Sequence, residues 1–580
     1  MSTGKIELSV GAVKIAEEEI DAINNKISEL DERVGNIEDD IEEINSSLDN
    51  MANEKGYVNI LKYYNGMNFS NAITNAELEN KNIFFPKGEY IIDSYIIKNS
   101  GVNWIGVEGT VFILDNTFNF KDGSNKGFVI LNKSYLEGTT NVLDNFKIES
   151  IEFQYKYNLS EGLYLFGLVN TDNVIFSKCS FNSIGDKLPL HVFIDFKGNN
   201  QNTIIDGNKS TYNTHNDTNE GGTINFRNFT TLKSKNVTFI NNNFIKLNGG
   251  DEIIWACANN GDIENIRIEN NNLSCTSINK PLANGIYILQ TDTENSGTNK
   301  IKNVTIKNNI LDIENISYSC IKVGSDNTTL PSIDNVIIDS NIIKCSNGQQ
   351  YSKGIDIINC KNDITINNIL DLNNLNIGIK GLEKCSHNII RGKTGTAIKG
   401  FKECSFNTID VEGYGISNCV NVITNDIRCD FIEFGNKTRI KFINNLVDVK
   451  NSTSVIKCPN NANGDLTKAI LYIEGNIFKN CGGNIVEDGH GGVILKDNIA
   501  YAEVGGYCVY QDTVKFAMNN TIISSTGEFN DTYAPITSSS DIPARTRATY
   551  PIGHIITSSI NGDRYIKKTI GYDPSSWVKM

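Results

Sequence analysis

The sequence predicts an all-β protein whose body is a parallel β-helix, a solenoid of short stacked strands. A short alternating string that ends in asparagine recurs along the chain. A second string, in which one side chain stands between two apolar ones, recurs in step with it. No helical period separates the copies, so βαβ crossovers are not expected. A repeat with variable insertions is typical of a solenoid.

The first string has four strong copies. They read NVTFINNN, NIRIENNN, NVTIKNN and NVIIDSN, and they begin at Asn236, Asn265, Asn303 and Asn335. Asparagine tolerates left-handed backbone conformations and hydrogen-bonds its own backbone. We therefore expect a tight asparagine turn after each of these strands.

The second string predicts a column of side chains that point away from the core, because side chains alternate along a strand. Neighbouring rungs should lie about 4.8 Å apart. We call this set the outward column; its predicted members are Tyr164, Asp195, Asn225, Trp255, Tyr287, Lys322, Asp356, Lys380 and Lys399. Facing outward would spare Asp356, which stands between isoleucines, the cost of burying a charge.

Apolar residues near the N-terminus follow a seven-residue period over five heptads, from Ile20 to Met51. Isoleucine occupies both a and d positions, which favours three or more strands over two. We predict a parallel trimeric coiled coil over residues 20–52, preceded by an attachment segment at residues 1–19. The protein would then be a homotrimer.

Composition excludes several classes of protein. The net charge of −15 argues against a nucleic-acid partner, and no apolar run reaches the length of a membrane span. The polar N-terminus lacks the pattern of a signal peptide. The 13 cysteines include no C-x-x-C pair, so we interpret them as buried apolar residues. No motif indicates a cofactor or a metal site.

The final residues differ in composition from the repeats. Four of the nine prolines lie at or after residue 534. We assign residues 53–533 to the β-helix and residues 534–580 to a small β module with a Gly-Asp hairpin turn.

Residues 57–115 contain IFFPKGEYIIDSYIIKNSGVNWIGVEGTVFILDN, which has a Pro-Lys-Gly turn after an apolar strand. This stretch resembles the opening of the pectate-lyase-like right-handed β-helix of phage tailspikes. The preceding NFSNAITNAELEN resembles the helix that caps that solenoid, and the C-terminal module resembles short modules of phage tail and fibre proteins.

The resemblance to tailspikes implies a function. Such proteins bind a polysaccharide of the host cell surface, such as capsule, exopolysaccharide or wall glycan, and many depolymerise it. It also implies attachment to the phage tail or baseplate through the N-terminal region, with synthesis in the host cytoplasm. The alternative is a receptor-binding tail protein or adhesin without enzymatic activity.

Three carboxylates are candidates for catalysis. Asp251 and Glu252 precede the strand that carries Trp255, and alternation places Asp251 on the face of Trp255. Asp356 lies three rungs further on, about 14 Å away. Glycosidases need two carboxylates about 5 Å or 6.5–9.5 Å apart. Asp356 and Asp251 therefore do not form a simple pair within one chain.

A second partner for these carboxylates would come from a neighbouring subunit or from a loop residue such as Asp292 or Asp326. A polysaccharide lyase, our second choice after a glycoside hydrolase, would instead use a base and a cation, for which Lys322 and Lys380 flank Asp356 suitably. The competing interpretation is that Asp251 and Glu252 are solvated turn acids and that Asp356 belongs to a lysine-paired surface ladder.

Two aromatic residues complete the predicted site. Trp255 and Tyr287 occupy neighbouring rungs and would form a flat platform for sugar rings. We predict that Trp255, Tyr287, Lys322, Lys380 and Asp195 bind the substrate.

Overall fold

The structure is a computed structural model, and it describes most of the solenoid together with short segments at either end. The described residues are 20–36, 39–40, 43, 46–47, 49–50, 56–64, 66, 68–79, 81–114, 118, 128–137, 139–156, 163–183, 190–212, 223–228, 233–247, 249–259, 261–276, 280–291, 300–324, 333–434, 439–450, 454–457, 470–481, 484–487, 493–502, 514–518, 520–524, 527–530, 555–557, 563–568 and 577–580.

The body is a parallel β-helix, as predicted. Each coil contributes one strand to a first sheet, sheet A, and one or two to a second sheet. The second sheet bends into two faces, B1 and B2, which follow sheet A in that order along each coil. One coil consists of Ser234–Ile240 in sheet A, Asn243–Lys246 in B1 and Ile254–Ala258 in B2. Each pairs in parallel with the equivalent strand of the next coil.

Among the described residues, sheet A comprises 18 strands. They are Tyr57–Asn59, Asn82–Phe85, Trp104–Gly106, Leu143–Glu149, Thr171–Ser177, Gln201–Asp206, Ser234–Ile240, Ile263–Glu269, Ile301–Lys307, Ile333–Asp339, Cys360–Ile366, Lys384–Ser386, Glu403–Ser405, Asn421–Ile423, Arg439–Ile443, Ile470–Glu474, Val493–Lys496 and Val514–Met518.

The second sheet has three groups of strands. Face B1 contains Gly88–Ile91, Thr110–Leu114, Glu152–Tyr155, Ser180–Ser183, Lys209–Tyr212, Asn243–Lys246, Asn272–Cys275, Ile342–Gly348, Asp426–Cys429, Leu446–Val449, Ile477–Cys481, Ile499–Ala502, Thr521–Ser524 and Gly527–Asn530. Face B2 contains Ile96–Lys98, Phe128–Asn132, Leu163–Val169, Leu190–Lys197, Ile224–Asn228, Ile254–Ala258, Leu282–Gln290, Lys353–Ile357, Phe431–Glu433, Ser454–Lys457 and Asn484–Glu487. Bent strands that run through both faces are Ile310–Val323, Ile369–Lys380, Ile389–Lys399 and Thr408–Ser417.

A short helix, Phe69–Leu78, packs beside the first coils, where the sequence predicts a cap. Its Glu77 is fully buried and accepts hydrogen bonds from Lys98 Nζ at 2.9 Å and from the indole of Trp104. The cap is therefore joined to the solenoid by a buried ion pair. The other helices are residues 20–36, the 3₁₀ turn Ile60–Lys62 and Lys133–Glu137.

In the asparagine turns between sheet A and face B1, two successive residues have different roles. In most coils, the first residue adopts a left-handed conformation, with φ of 56° at Asn367 and 54° at Asn308. The second, such as Asn368 or Asn309, is buried. The paired asparagines of the repeat thus have different tasks, one of them conformational and the other in hydrogen bonding.

The buried asparagines form a continuous stack, which we call the asparagine ladder. Asn368 Oδ1 accepts hydrogen bonds from the backbone N–H and the side-chain amide of Asn341, at 3.0 and 2.9 Å. Its own amide donates to Asn388 Oδ1 and to the carbonyl of Ile338. The same pattern joins Asn208, Asn242, Asn271, Asn309, Asn341, Asn368, Asn388, Asn407, Asn425, Asn445, Asn476, Asn498 and Asn520.

The described cysteines lie in the core as isolated thiols, as predicted. Cys385 and Cys404 pair in register in sheet A. Cys179 is followed by Ser-Phe-Asn, as Cys404 is, but it occupies a different place: its N–H donates to Asn208 Oδ1, so it stands where an asparagine of the ladder would stand. The same four residues therefore have different positions in these two coils.

The two ends of the chain carry separate elements. Ile20, Ile23, Ile27, Leu30 and Val34 are exposed on the helix of residues 20–36. A coiled coil would bury these side chains against the helices of partner chains. The coiled coil and the homotrimer stay predictions. At the other end, Ile555–Thr557, Arg564–Lys567 and Trp577–Lys579 form a three-stranded antiparallel sheet.

Candidate functional site

The outward column exists on face B2 with the predicted register from Asp195 to Lys399. Strand pairing aligns Asp195 with Asn225, and Trp255 with Tyr287. It continues through Lys322, Asp356, Lys380 and Lys399. The predicted place of Tyr164 in the column is wrong. The strand Leu163–Val169 is offset by three residues from the prediction, so Gly167 is the partner of Asp195.

Asp195 is held by an arginine that the sequence reading missed. Arg227 donates two hydrogen bonds to the Asp195 carboxylate, at 2.9 and 2.5 Å. Lys197 lies 3.5 Å away. Asp195 is fully buried, contrary to the exposure expected from its outward position, since Arg227 and Lys197 cover it. Burial lowers the pKa of Arg227, but the charge of Asp195 and the hydrogen bonds to it, with smaller effects of Tyr164 and Tyr135, together raise that pKa.

Trp255 and Tyr287 lie on neighbouring rungs, and each ring is partly exposed and has a cation beside it. The guanidinium carbon of Arg227 is 5.6 Å from the centre of the Trp255 ring. Lys322 Nζ is 5.1 Å from the centre of the Tyr287 ring. The predicted platform therefore has a positive group beside each aromatic ring.

Two polar atoms of this region have no hydrogen-bond partner among the described residues. They are the indole nitrogen of Trp255 and the side-chain oxygen of Asn225, on neighbouring rungs. A buried polar group without a partner costs about 1–3 kcal/mol, so native proteins rarely keep one without a reason. A ligand with hydroxyl groups is one such reason.

Asp356 is also fully buried, so the expectation that it faces solvent is wrong. Lys353 Nζ donates to Asp356 Oδ2 at 2.6 Å, and Lys380 Nζ lies 3.5 Å from Oδ1. The side chain does point away from the isoleucine core, but the two lysines close over it. The interpretation of Asp356 as a residue paired with lysines thus agrees with these contacts, except that the aspartate is buried and does not lie on the surface.

Asp251 and Glu252 lie in the turn before the strand Ile254–Ala258. The alternation argument that placed Asp251 on the face of Trp255 therefore does not apply, because it assumed a strand at that position. Glu252 is nearly buried and accepts a hydrogen bond from Asn284 at 2.9 Å. Asp251 is half-buried, so neither residue is a freely solvated turn acid.

A lysine lies beneath this turn. Lys246 is fully buried on face B1, and its ammonium group donates to the carbonyl oxygen of Asp251 at 2.9 Å. Burial lowers the pKa of Lys246 to about 8, although the charges of Cys275, Asp251 and Glu252 oppose this shift. The ring of Tyr212 is 5.9 Å from the same nitrogen.

The three predicted catalytic carboxylates do not form one pair. The register places Asp356 three rungs from Trp255, which is about 14 Å. Asp251 and Glu252 stand next to each other in the turn, and Glu252 is bound to an amide. Asp292 and Asp326 lie outside the described residues. The arrangement offers aromatic surface and alternating charge, which suits binding of a polar chain.

Sequence reasoning missed Arg227, Lys353 and Asn284, which hold Asp195, Asp356 and Glu252. Arg227 stands two residues after Asn225 and Lys353 three residues before Asp356, so both lie next to the column on the same strands. The sequence signal for Arg227 and Lys353 is therefore their position next to a member of the column on the same strand. Asn284 faces Glu252 from the following coil, and no local pattern indicates that contact.

In the described part of the chain, no group of three or more histidine, cysteine, aspartate or glutamate side chains is placed to hold a metal ion. Among the same residues, no helix is long and apolar enough to cross a membrane.

Comparison with known proteins agrees with the fold. Residues 62–192 match the family model described as rhamnogalacturonase A/epimerase, pectate lyase-like. This match confirms the pectate-lyase-like resemblance predicted from the opening of the solenoid. No curated protein matches the chain.

Several solved structures are similar over most of the chain. A surface adhesin of Streptococcus pneumoniae, PfbA, is 13% identical with a TM-score of 0.33, covering 90% of this chain and 98% of that one. The tailspike protein 3 of bacteriophage CBA120 is 9% identical with a TM-score of 0.33, covering 90% and 68%. A family 28 exopolygalacturonase of Yersinia enterocolitica is 10% identical with a TM-score of 0.30, covering 81% and 78%.

Proposed function

We propose that this protein binds a polysaccharide of a bacterial surface along the outward column and depolymerises it as a phage tailspike during adsorption. One observation carries the proposal: Trp255 and Tyr287 stand in register on one face, each beside a cation and with unpaired polar atoms next to them. Sugar rings offer an apolar face for the aromatic groups and hydroxyls for the polar atoms.

The charges along the column support a long polar ligand. Arg227, Lys322, Lys353, Lys380 and Lys399 line or flank this face in a protein whose net charge is −15. Depolymerisation would be by hydrolysis, with lyase chemistry as the second choice. For a lyase, the cations beside Asp356 would stabilise negative charge that develops on an acidic sugar.

The test is incubation of the full chain with purified surface polysaccharides, followed by measurement of polymer size and of new reducing or unsaturated ends. Trp255→Ala should weaken polymer binding by about 30-fold, as expected for a central aromatic contact. Tyr472→Ala is the matched control, since Tyr472 is a partly exposed aromatic residue on sheet A. Equal binding by both variants would contradict the proposed site.

A second candidate is a receptor-binding protein that adheres without cleaving. One observation favours it: Asp195, Asp356 and Glu252 are each engaged by a cation or an amide. A general acid or base must exchange protons with the substrate, and these contacts occupy that role. Stable binding with no change in polymer size would establish this candidate and exclude the enzyme.

The assembly is part of the proposal. The exposed heptad positions of residues 20–36 suit a trimeric coiled coil, and the N-terminal region would attach the protein to the phage tail or baseplate. Synthesis would occur in the host cytoplasm before incorporation into the virion. Sedimentation equilibrium of the full chain tests the trimer, and a monomeric mass would exclude it.

A further inference from the structure

A second concave surface lies away from the outward column, at the corner where face B1 bends into face B2. It spans several coils and has a volume of about 490 Å³, which is in the range of small-ligand sites. We define this corner groove by Gln349, Asn374, Asn376, Thr394, Glu412 and Asp430. It shares strands with the column but lies elsewhere on them: Asn376 precedes Lys380 by four residues, about 13 Å along an extended strand.

Two glycines in the groove wall allow neighbouring coils to approach closely. A Cβ on Gly395 would lie 2.6 Å from the carbonyl oxygen of Asn376, and one on Gly413 would lie 1.9 Å from that of Thr394. Gly413 also has a φ of 124°, which other residues rarely adopt. Any other residue at these two positions would therefore push the coils that line the groove apart.

The rim is polar and nearly balanced in charge. Amide side chains of Gln349, Asn374 and Asn376 are exposed along it. Lys393 is the partner of Glu412 in the strand register, and Asp430 follows on the next coil, where its N–H donates to the carbonyl of Gly413 at 2.9 Å. Amides and carboxylates in this arrangement donate and accept hydrogen bonds in the way that neighbouring hydroxyls require.

An independent observation points to a ligand. Thr394 lines the groove and is 2% exposed, yet its hydroxyl has no hydrogen-bond partner among the described residues. A buried hydroxyl in this state carries a desolvation cost of about 1–3 kcal/mol. Rotation of the Thr394 side chain toward the groove would let a hydroxyl group of a ligand remove that cost.

We propose that the corner groove is a second glycan site, which binds a short neutral oligosaccharide segment. Neutral sugars fit because the amides and Thr394 match hydroxyl groups, while the two carboxylates would repel a polyanion more than Lys393 attracts it. The proposal rests on the proposed function in that it takes the ligand to be a glycan. It adds an anchoring site that is separate from the aromatic platform.

The test is calorimetric titration of the full chain with glucose and N-acetylglucosamine hexasaccharides, and with an oligogalacturonate of the same length. At least one neutral hexasaccharide should bind more tightly than the oligogalacturonate. Thr394→Val keeps the shape and removes the unpaired hydroxyl, so folding should be preserved while binding weakens about two- to tenfold. The double variant Asn374→Ala/Asn376→Ala should weaken binding at least as much.

The matched control is Thr365→Val. Thr365 is also fully buried with an unpaired hydroxyl among the described residues, but it lies in sheet A, and this variant should bind like the wild type. No binding of any neutral hexasaccharide, or equal binding by the two valine variants, would overturn the proposal. Trp255→Ala should leave hexasaccharide binding in the groove unchanged while it weakens polymer binding, so the two sites can fail separately.

Discussion

The asparagine ladder and the outward column are both stacks of one side chain per coil, and they differ in uniformity. The ladder repeats one residue type, and its amides satisfy one another and the adjacent backbone. The column changes from Asp195 to Trp255 to Lys322, and polar atoms within it stay unpaired. A stack that only holds coils together can be uniform, whereas the variety of the column is what the proposed contact with a ligand would require.

The largest expected effect falls within the column, at the arginine that covers Asp195. Arg227→Ala should reduce the free energy of unfolding by about 3–5 kcal/mol, because it leaves a fully buried carboxylate without its main counter-charge. Chemical denaturation measures this change. The double variant Asp195→Asn/Arg227→Met should recover part of it. If Arg227→Ala costs less than about 1 kcal/mol, the pair serves binding alone.

Lys246 gives an electrostatic contrast with the neutral ladder. Its pKa of about 8 in the folded protein lies below the ordinary 10.5, so the folded state loses its proton first as the pH rises. The unfolded chain then binds more protons at this residue, and the contribution of Lys246 to stability should increase between about pH 8 and 10.5, by about 3 kcal/mol. Denaturation across this range measures it. Lys246→Met should lack this rise, and parallel curves for the two proteins would refute the assignment.

The ladder itself comes next in size. Asn368→Ala removes the acceptor of the Asn341 N–H and the donor to the Ile338 carbonyl, both in the interior. We expect a loss of about 1–3 kcal/mol. The control is Asn362→Gly at an exposed position of sheet A, where a surface bond to Asn335 is lost and the left-handed φ of 56° suits glycine. A loss below about 1 kcal/mol is expected there. Similar losses in both variants would mean that burial of the ladder is not what stabilises it.

The smallest effect on stability should come from Lys322. Its ammonium group lies beside the Tyr287 ring at a partly exposed position, so Lys322→Ala should cost less than about 1 kcal/mol. Polymer binding should instead fall and become less sensitive to salt. Denaturation and binding at two salt concentrations separate these readouts. A stability loss as large as that of Arg227→Ala would indicate that the side chains of the column stabilise the fold and do not serve binding.

Much of this comparison was readable from the sequence because the solenoid repeats. The phase of the apolar triplets placed the residues from Asp195 to Lys399 in one column, and the strand register agrees. The paired asparagines indicated the turn, although only the structure separates the left-handed residue from the ladder residue. Tyr164 was misplaced because apolar residues on both sides of its strand allow two phases, LYL and FGL.

Burial was the main quantity that the sequence could not supply. Asp195 and Asp356 point away from the core as expected, yet long side chains from neighbouring positions close over both. Alternation along a strand predicts the direction of a side chain, but it does not predict which neighbouring side chains bury it. For Asp251 and Glu252 the strand itself was assumed too early, and the corner groove depends on a bend that no short motif indicates.

Because the ladder has one asparagine per coil, the length of the solenoid can change only in steps of one coil. Asn388 and Asn407 are 19 residues apart, and the same interval separates Lys380 from Lys399 in the column. Removing residues 388–406 as a block would rejoin both stacks in phase and shorten the body by one rung, about 4.8 Å. A lineage of such solenoids can therefore change the length of each face in steps of one rung by gaining or losing whole coils.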